Sequence, residues 1–427
     1  MRELLQQKTT DMLRWSEKYT KTDMVYMARG SFWLILSQGV TVLFGLVLAI
    51  AFANLLPKEM YGVYRFVLSV TGVFTLTTLS GLNTALSRAV VKGDPAAFMP
   101  IFKERVRFGL LGGAAALIAA LYYYTQGNMV LAGAFGIAAL FLPFSDPLNV
   151  YEAYRNGLKD FRYNALADIV IRIGTVTSML VALLVFKSVV ALVCIYFASY
   201  TLLQLIFFLH TKRSASRAEH KPFDLASILG LGKHLSAVYI IGSFATQIDK
   251  LVIFHFTGAA ALAAYAFAIA IPDQLRAIVN NITVLAYPKF VMRPLPEVLR
   301  GMATKNLVLG IATAGMVALY IVLTPLLFHL FFPHYPESIL ITQLLALTLV
   351  DVLTLLPLSA LKAHGMTKSL YHYYLVSGVV QVGFIALGGF SYGLFGVIAG
   401  LVGARVFAVI YLTILMQRLR YSHSSQT

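Results

Sequence analysis

Apolar residues run along this chain in long blocks, with no strand-like alternation inside them. Uninterrupted stretches cover 30–53, 63–84, 106–124, 129–149, 164–186 and 189–210, then 231–256, 259–286, 304–330, 338–361, 370–390 and 394–416. Each is close to the ~20 residues that carry a helix across a bilayer core. That core offers no water to a bare backbone, so stretches of this kind must be helical. The pattern predicts an all-α polytopic membrane protein with about 12 transmembrane helices. A polar stretch at 211–222 divides the blocks six and six. The predicted organisation is a segment 1–29, a six-helix bundle 30–210, a basic linker 211–230, a second six-helix bundle 231–416 and a tail 417–427.

Composition agrees: 59% of the 427 residues are hydrophobic and only 12% charged, where soluble domains carry about 25%. That balance argues against a soluble enzyme. Cys194 is the single cysteine, so neither a disulfide framework nor a cysteine metal site can be built. The formal charge of +16 gains meaning from where the cations lie. Lys and Arg gather in alternate connections, from Arg2–Arg29 through Arg88, Lys92, Lys103, Arg105 and Arg107, then Arg155, Lys159 and Arg162, to Arg418 and Arg420, while the intervening connections hold only Lys58 and Lys187. By the positive-inside rule both termini are expected in the cytoplasm, and the charge reads as topology plus attraction to anionic headgroups rather than nucleic-acid binding. A long polar stretch precedes the first block without an A-x-A site, so no signal peptide is expected. Met12, Trp15, Tyr19 and Tyr26 recur at helical spacing, which suits either an amphipathic helix on the inner leaflet or a polar tail.

The chain also repeats at half length. A shift of 201 sets Tyr64 over Tyr265, Phe66 over Phe267, Ala85 over Ala286 and Arg88 over Lys289, and a shift of 208 sets Gly157 over Gly365. Two like-oriented bundles with a substrate path between them are a transporter architecture. Polar residues inside the apolar blocks mark the expected path, because charges in hydrocarbon are costly unless they face a cavity or pair. Asp273, Arg276, Asn280 and Thr283 share one helix face in the eighth block; Ser236, Tyr239, Ser243, Gln247 and Lys250 form a stripe in the seventh, beside Asp249. Thr71, Thr75 and Thr78 in the second block and Ser31, Gln38, Thr41 and Gly45 in the first are their counterparts, so blocks one, two, seven and eight are expected to line the cavity. The competing reading pairs Asp273 with Arg276 as helix glue, and likewise Asp168 with Arg172 beside Thr175. Asp351 and Arg405, near the middles of the tenth and twelfth blocks, are either functional or each other's partner. Gly393, Gly396, Gly400 and Gly403 form a stripe suited to close helix packing.

Enzyme motifs are largely missing. Gly230-Leu-Gly-Lys233 lacks the first glycine and the final hydroxyl of a phosphate loop, and the nine histidines contain no H-E-x-x-H; no catalytic residue, metal or cofactor is expected. A membrane glycan ligase or polymerase remains an alternative, although such enzymes usually carry a large extracytoplasmic loop and the longest such loop here is around 331–338.

Asn54-Leu-Leu-Pro-Lys-Glu-Met-Tyr-Gly-Val-Tyr64 with Ser80-Gly-Leu-Asn-Thr-Ala-Leu-Ser-Arg88, then Ile248-Asp-Lys-Leu-Val-Ile253, Tyr265, Tyr287-Pro288 and Tyr392-Gly-Leu-Phe-Gly-Val397, resemble the polysaccharide-biosynthesis (Wzx-type) flippases. These belong to the multidrug/oligosaccharidyl-lipid/polysaccharide exporter superfamily. One position departs: Ala263 stands where the family has glycine. The resemblance implies translocation of an undecaprenyl-pyrophosphate-linked oligosaccharide across a bacterial plasma membrane by alternating access, with lipid and glycan-assembly enzymes as partners. Cation-coupled drug or metabolite antiport is the alternative within the superfamily, and an assembly scaffold is a third. For the flippase, Arg276 and Lys250 are the expected pyrophosphate contacts and Gln38, Thr75, Gln247 and Asn280 the expected sugar contacts. Asp249 and Asp273 are the candidates for coupling to a proton or sodium gradient; the membrane potential is the other possible drive.

Overall fold

The computed structural model describes residues 24–216, 224–291 and 293–424. The amphipathic reading of 12–19 and the middle of the basic linker fall outside these residues. Within them the chain is helical with no strand, and ten helices are long and apolar enough to cross a membrane, eleven when a bent pair is taken as one span. The twelfth appears on inspection of the last helix, Thr367–Ser424, which is interrupted at Tyr392 and Gly393. Across that break Gly388 lies against Gly396 and Gly400 against Phe384, so the two arms fold back on each other as an antiparallel hairpin. A Cβ on Gly388 would stand 2.1 Å from the Gly396 carbonyl oxygen, which explains why this face carries glycine.

Spans 1 to 6 run Met24–Leu55, Lys58–Thr78 with Gly81–Val91, Phe98–Thr125, Met129–Gly157, Phe161–Val185 and Val189–Ala215. Spans 7 to 10 run Leu225–Thr257, Ala259–Val291, Met302–Phe331 and Ser338–Ala363, and spans 11 and 12 are the hairpin arms. Several starts are written into the sequence: the side chains of Asn128, Asp160 and Asp224 accept from the backbone N–H groups of Leu131, Tyr163 and Ser227 and cap spans 4, 5 and 7.

Interruptions in spans 2, 4 and 10 shape the interior. Span 2 bends by 45° after a 3₁₀ turn, Thr75–Thr78, where Leu79 takes a left-handed φ of 57°. Span 4 contains Pro143 and then a 3₁₀ turn at Pro147–Asn149; proline removes an intrahelical bond and bends the helix there. Span 10 carries a longer 3₁₀ segment, Leu347–Thr354.

The halves meet through span 2. At the end bearing Lys58, an aromatic stack crosses the boundary, with Tyr61 on Phe267 at 4.3 Å and Phe66 on Phe254 at 3.7 Å between centroids. Gly62 there packs on the Ala259 backbone so closely that a Cβ would stand 1.8 Å from its carbonyl oxygen. Lys58 pairs with Glu337 at 2.5 Å, and the Asn54 amide donates to the Phe331 carbonyl. Toward the other end, the Gly81 N–H donates to Ser236 Oγ and Lys233 pairs with Glu104 at 2.8 Å. Tyr64, Tyr265, Phe66 and Phe267, four of the residues that the half-length repeat superimposes, are buried in this shared core.

Candidate functional site

Span 10 leaves the α-helical path at Leu347–Thr354, and this brings Asp351 into the middle of the second half. Its carboxylate is only 3% exposed, and one oxygen is ion-paired with both Arg276 of span 8, at 2.6 Å, and Arg405 of span 12, at 2.9 Å. The other oxygen, Oδ1, is buried and has no hydrogen-bond partner. The two arginines are 36% and 21% exposed and line a cavity of about 620 Å³. Its wall includes Asn280 from span 8, Lys362 from span 10 and Tyr373, Tyr374, Ser377 and Gln381 from span 11. Three cations thus face one carboxylate. Planar guanidiniums beside hydroxyls, amides and phenol rings suit a ligand that joins a phosphate to a sugar.

The sequence expected a cavity lined by spans 1, 2, 7 and 8; spans 7, 8, 10, 11 and 12 form this one, and of the expected span 1 residues Thr41 lines the smaller cavity of the first half. Arg276 and Asn280 reach it. Arg276 turns to Asp351 instead of Asp273, so the expected pairing three residues apart gives way to one between helices. Asp351 and Arg405 do find each other, with Arg276 as a third member. Lys250 and Asp249 are not among the lining residues: the lysine donates to the Thr246 carbonyl at 2.8 Å and to Asp249 at 3.1 Å, and Tyr265 closes on Asp249 at 2.5 Å. A carboxylate shared between its neighbouring lysine and a buried phenol is already neutralised, which explains why neither group turns to the cavity. Gln247 lies against Gly72 of span 2, at the boundary between the halves. Thr75 donates to the Gly72 carbonyl in the 3₁₀ turn, and Gln38 is half-buried on span 1. Asp273 is exposed on span 8. The side chains of Ser31 and Thr283 lie outside the described residues.

The first half builds a different centre. Arg105, counted among loop cations on sequence grounds, is a fully buried residue of span 3. Burial this complete demands a partner for every nitrogen, and each has one. Nε donates to the Thr78 carbonyl where span 2 breaks, Nη1 to Asn83 and Asn149, and Nη2 to Asp146 at 2.6 Å. Thr78 Oγ1 also donates to Asp146, whose second oxygen accepts from the Asn149 amide. Arg155 is a second such correction, with a side chain 10% exposed and paired with Asp160. A separate cavity of about 340 Å³ opens beside Asn149, lined by Thr41, Glu152, Asp168, Arg172, Thr175 and Gln204 among others. Asp168 and Arg172 therefore face a cavity together, where the sequence left a packed pair open.

Sequence reasoning missed Arg105 because it stands one residue from charged Glu104 in a basic run; the signal available was the cluster Asn83, Asp146 and Asn149 inside apolar blocks. It also missed the polar face of span 11, Tyr373, Tyr374, Ser377 and Gln381, whose spacing of three and four was there to be read.

A family model described as polysaccharide biosynthesis protein matches residues 27–293. Among solved structures, the chain is similar to an inward-facing multidrug resistance MATE family transporter of the MOP superfamily, with 15% identity, TM-score 0.63, and coverage of 89% of this chain and 96% of that one. It is similar to a MATE protein in complex with MaD5, with 17% identity, TM-score 0.66, and coverage of 94% and 97%. It is also similar to the lipid II flippase MurJ in an inward closed conformation, with 14% identity, TM-score 0.60, and coverage of 91% and 87%. A sequence search of curated proteins found no match.

Proposed function

Because the chain belongs to the polysaccharide biosynthesis protein family, whose model covers well over half of it, we propose that this multi-pass transmembrane transporter flips a polyprenyl-pyrophosphate-linked oligosaccharide between leaflets. The observation that carries the reading is the charge of the second-half cavity, where Arg276, Arg405 and Lys362 face Asp351 alone. A cation or drug cargo would meet repulsion there, and a pyrophosphate meets guanidinium forks. Tyr373, Tyr374, Ser377 and Gln381 supply the ring faces and hydrogen-bonding groups that a sugar requires. The fold shared with MurJ, a lipid II flippase, supports the same class of cargo. Antiport, the second reading, draws on the smaller first-half cavity, where Glu152 and Asp168 outnumber Arg172. Coupling to a proton or sodium gradient, or to the membrane potential, belongs to either scheme. The membrane is the bacterial inner membrane in this reading, and glycan polymerase and glycosyltransferases are the partners.

The test is reconstitution into liposomes with a fluorescent polyprenyl-pyrophosphate-linked disaccharide in one leaflet, followed by quenching from outside. Protein-containing vesicles are expected to expose the second leaflet's label at least tenfold faster than empty ones. Equal rates, together with proton-driven efflux of cationic dyes, would establish the antiporter instead. Orientation has its own check. Reporter fusions after Lys58, Lys187 and His334 are expected to report the extracytoplasmic side and those after Arg217 and Arg420 the cytoplasm; an extracytoplasmic Arg217 would overturn the parallel arrangement of the halves.

A further inference from the structure

The carboxylate between Arg276 and Arg405 is held in an unusual way. Both guanidiniums converge on Oδ2, at 2.6 and 2.9 Å, while Oδ1 is buried without a partner. A buried carboxylate oxygen left unsatisfied costs stability, so the group is bound less firmly than its two ion pairs suggest. Its first-half counterpart differs in this respect. Asp146 also adjoins a 3₁₀ interruption of the fourth span of its half, but both its oxygens are engaged, by Arg105 and Thr78 on one and Asn149 on the other.

The backbone around Asp351 differs too. Leu347–Thr354 is eight residues of 3₁₀ helix, where runs beyond three or four are uncommon and mark hinges. Conversion of such a segment to α-helix turns it by roughly 20° and shortens it by about 0.5 Å per residue. Over the four steps from Leu347 to Asp351 that amounts to roughly 80° and about 2 Å, enough to swing the carboxylate off both arginines. The arginines come from spans 8 and 12 and do not depend on that segment's backbone. Tyr373 and Tyr374 of span 11 and Lys362 at the end of span 10 complete the titratable groups of the cavity wall.

We propose that Asp351 is the resident anion of the cavity: it holds Arg276 and Arg405 together when the site is empty, and a phosphate of the ligand displaces it on loading. The inference rests on the flippase reading above and deepens it. A tethered competitor keeps two partly buried cations from facing one another and weakens binding of the phosphate, so that the ligand can leave on the far side. Asp351 is in this sense a specificity-determining residue of the site and not a contact for the phosphate.

The experiment uses the full chain in nanodiscs and farnesyl pyrophosphate as the probe, with binding measured by calorimetry and folding monitored by thermal unfolding. Asp351→Asn keeps the shape and removes the competing charge; it is expected to bind the probe at least tenfold more tightly than the unaltered protein and to translocate more slowly. Arg276→Ala is expected to abolish binding in either background. If the unaltered protein binds and Asp351→Asn binds no more tightly, the inference fails while the flippase reading stands. If no variant binds, both fall. Should Asp351→Asn not be recovered folded, Arg405→Gln gives the converse test, since Asp351 then neutralises the one remaining guanidinium: binding at least tenfold weaker than that of the unaltered protein supports the inference, and unchanged binding overturns it.

Discussion

Each half of the molecule sets an aspartate at a 3₁₀ interruption of its fourth span and brings arginine to it, yet the two centres present opposite charges to open space. In the first, Arg105 is sealed at 0% exposure and Asp146 remains 28% exposed. In the second, Asp351 is sealed at 3% and the arginines keep 36% and 21%. The space next to the first centre is correspondingly acidic, with Glu152 and Asp168, and the space next to the second is basic. One architectural device thus serves two ends. Where the cation is buried with every nitrogen engaged, the centre fastens the break of span 2 to spans 3 and 4. Where the carboxylate is buried half-satisfied, the two arginines stay partly open to the cavity.

The contrast is open to direct attack. The largest effect is expected from Arg105→Ala, which strands Asp146, Asn83, Asn149 and the Thr78 carbonyl and removes about 3–5 kcal/mol of stability; thermal unfolding in detergent measures it. If that variant unfolds no earlier than Arg276→Ala, the assignment of structural and ligand roles to the two centres collapses. Arg276→Ala leaves Asp351 with Arg405, so it is expected to cost only about 1–2 kcal/mol of stability while abolishing translocation. Arg276→Lys, with the charge but not the fork, is expected to recover part of the rate in the same vesicles. The smallest effect sharpens the comparison as a control. Lys58→Gln breaks an ion pair between half-exposed side chains, and an unfolding shift corresponding to about 1 kcal/mol or less is expected.

How far the sequence foretold this can be judged on individual residues. Twelve spans were legible because a bilayer leaves the backbone one choice, and length and hydropathy report it. The glycine stripe at 396, 400 and 403 correctly announced a close helix contact, although its partner, the preceding arm through Gly388 and Phe384, was not legible. Arg276 was recognised as a cavity cation from its helix face. Its partner was not, since Asp273 lies one turn away in sequence and Asp351 lies 75 residues away. Arg105 was misread for the reverse reason: it sits among loop-like charges, and only tertiary packing decides which cation of a basic run turns inward. Lys250 does not reach this cavity because Asp249 and the Thr246 carbonyl hold its ammonium locally, a pairing that its position on a polar helix stripe did not reveal.

The hairpin formed by spans 11 and 12 has a consequence for how the protein is made. Arg405 lies in the middle of span 12, and an arginine at that depth costs about 2.5–3.5 kcal/mol when a helix enters the bilayer alone. Its counter-charge, Asp351, belongs to a span synthesised more than 40 residues earlier. The glycine contacts between residues 384–388 and 396–400 let the two arms enter as one preassembled unit, so span 11 shares the burden of carrying the charge inward. Membrane insertion of the last span is therefore tied to its neighbour, and bulk introduced at Gly396 would be felt first by the insertion machinery, before any cycle of transport begins.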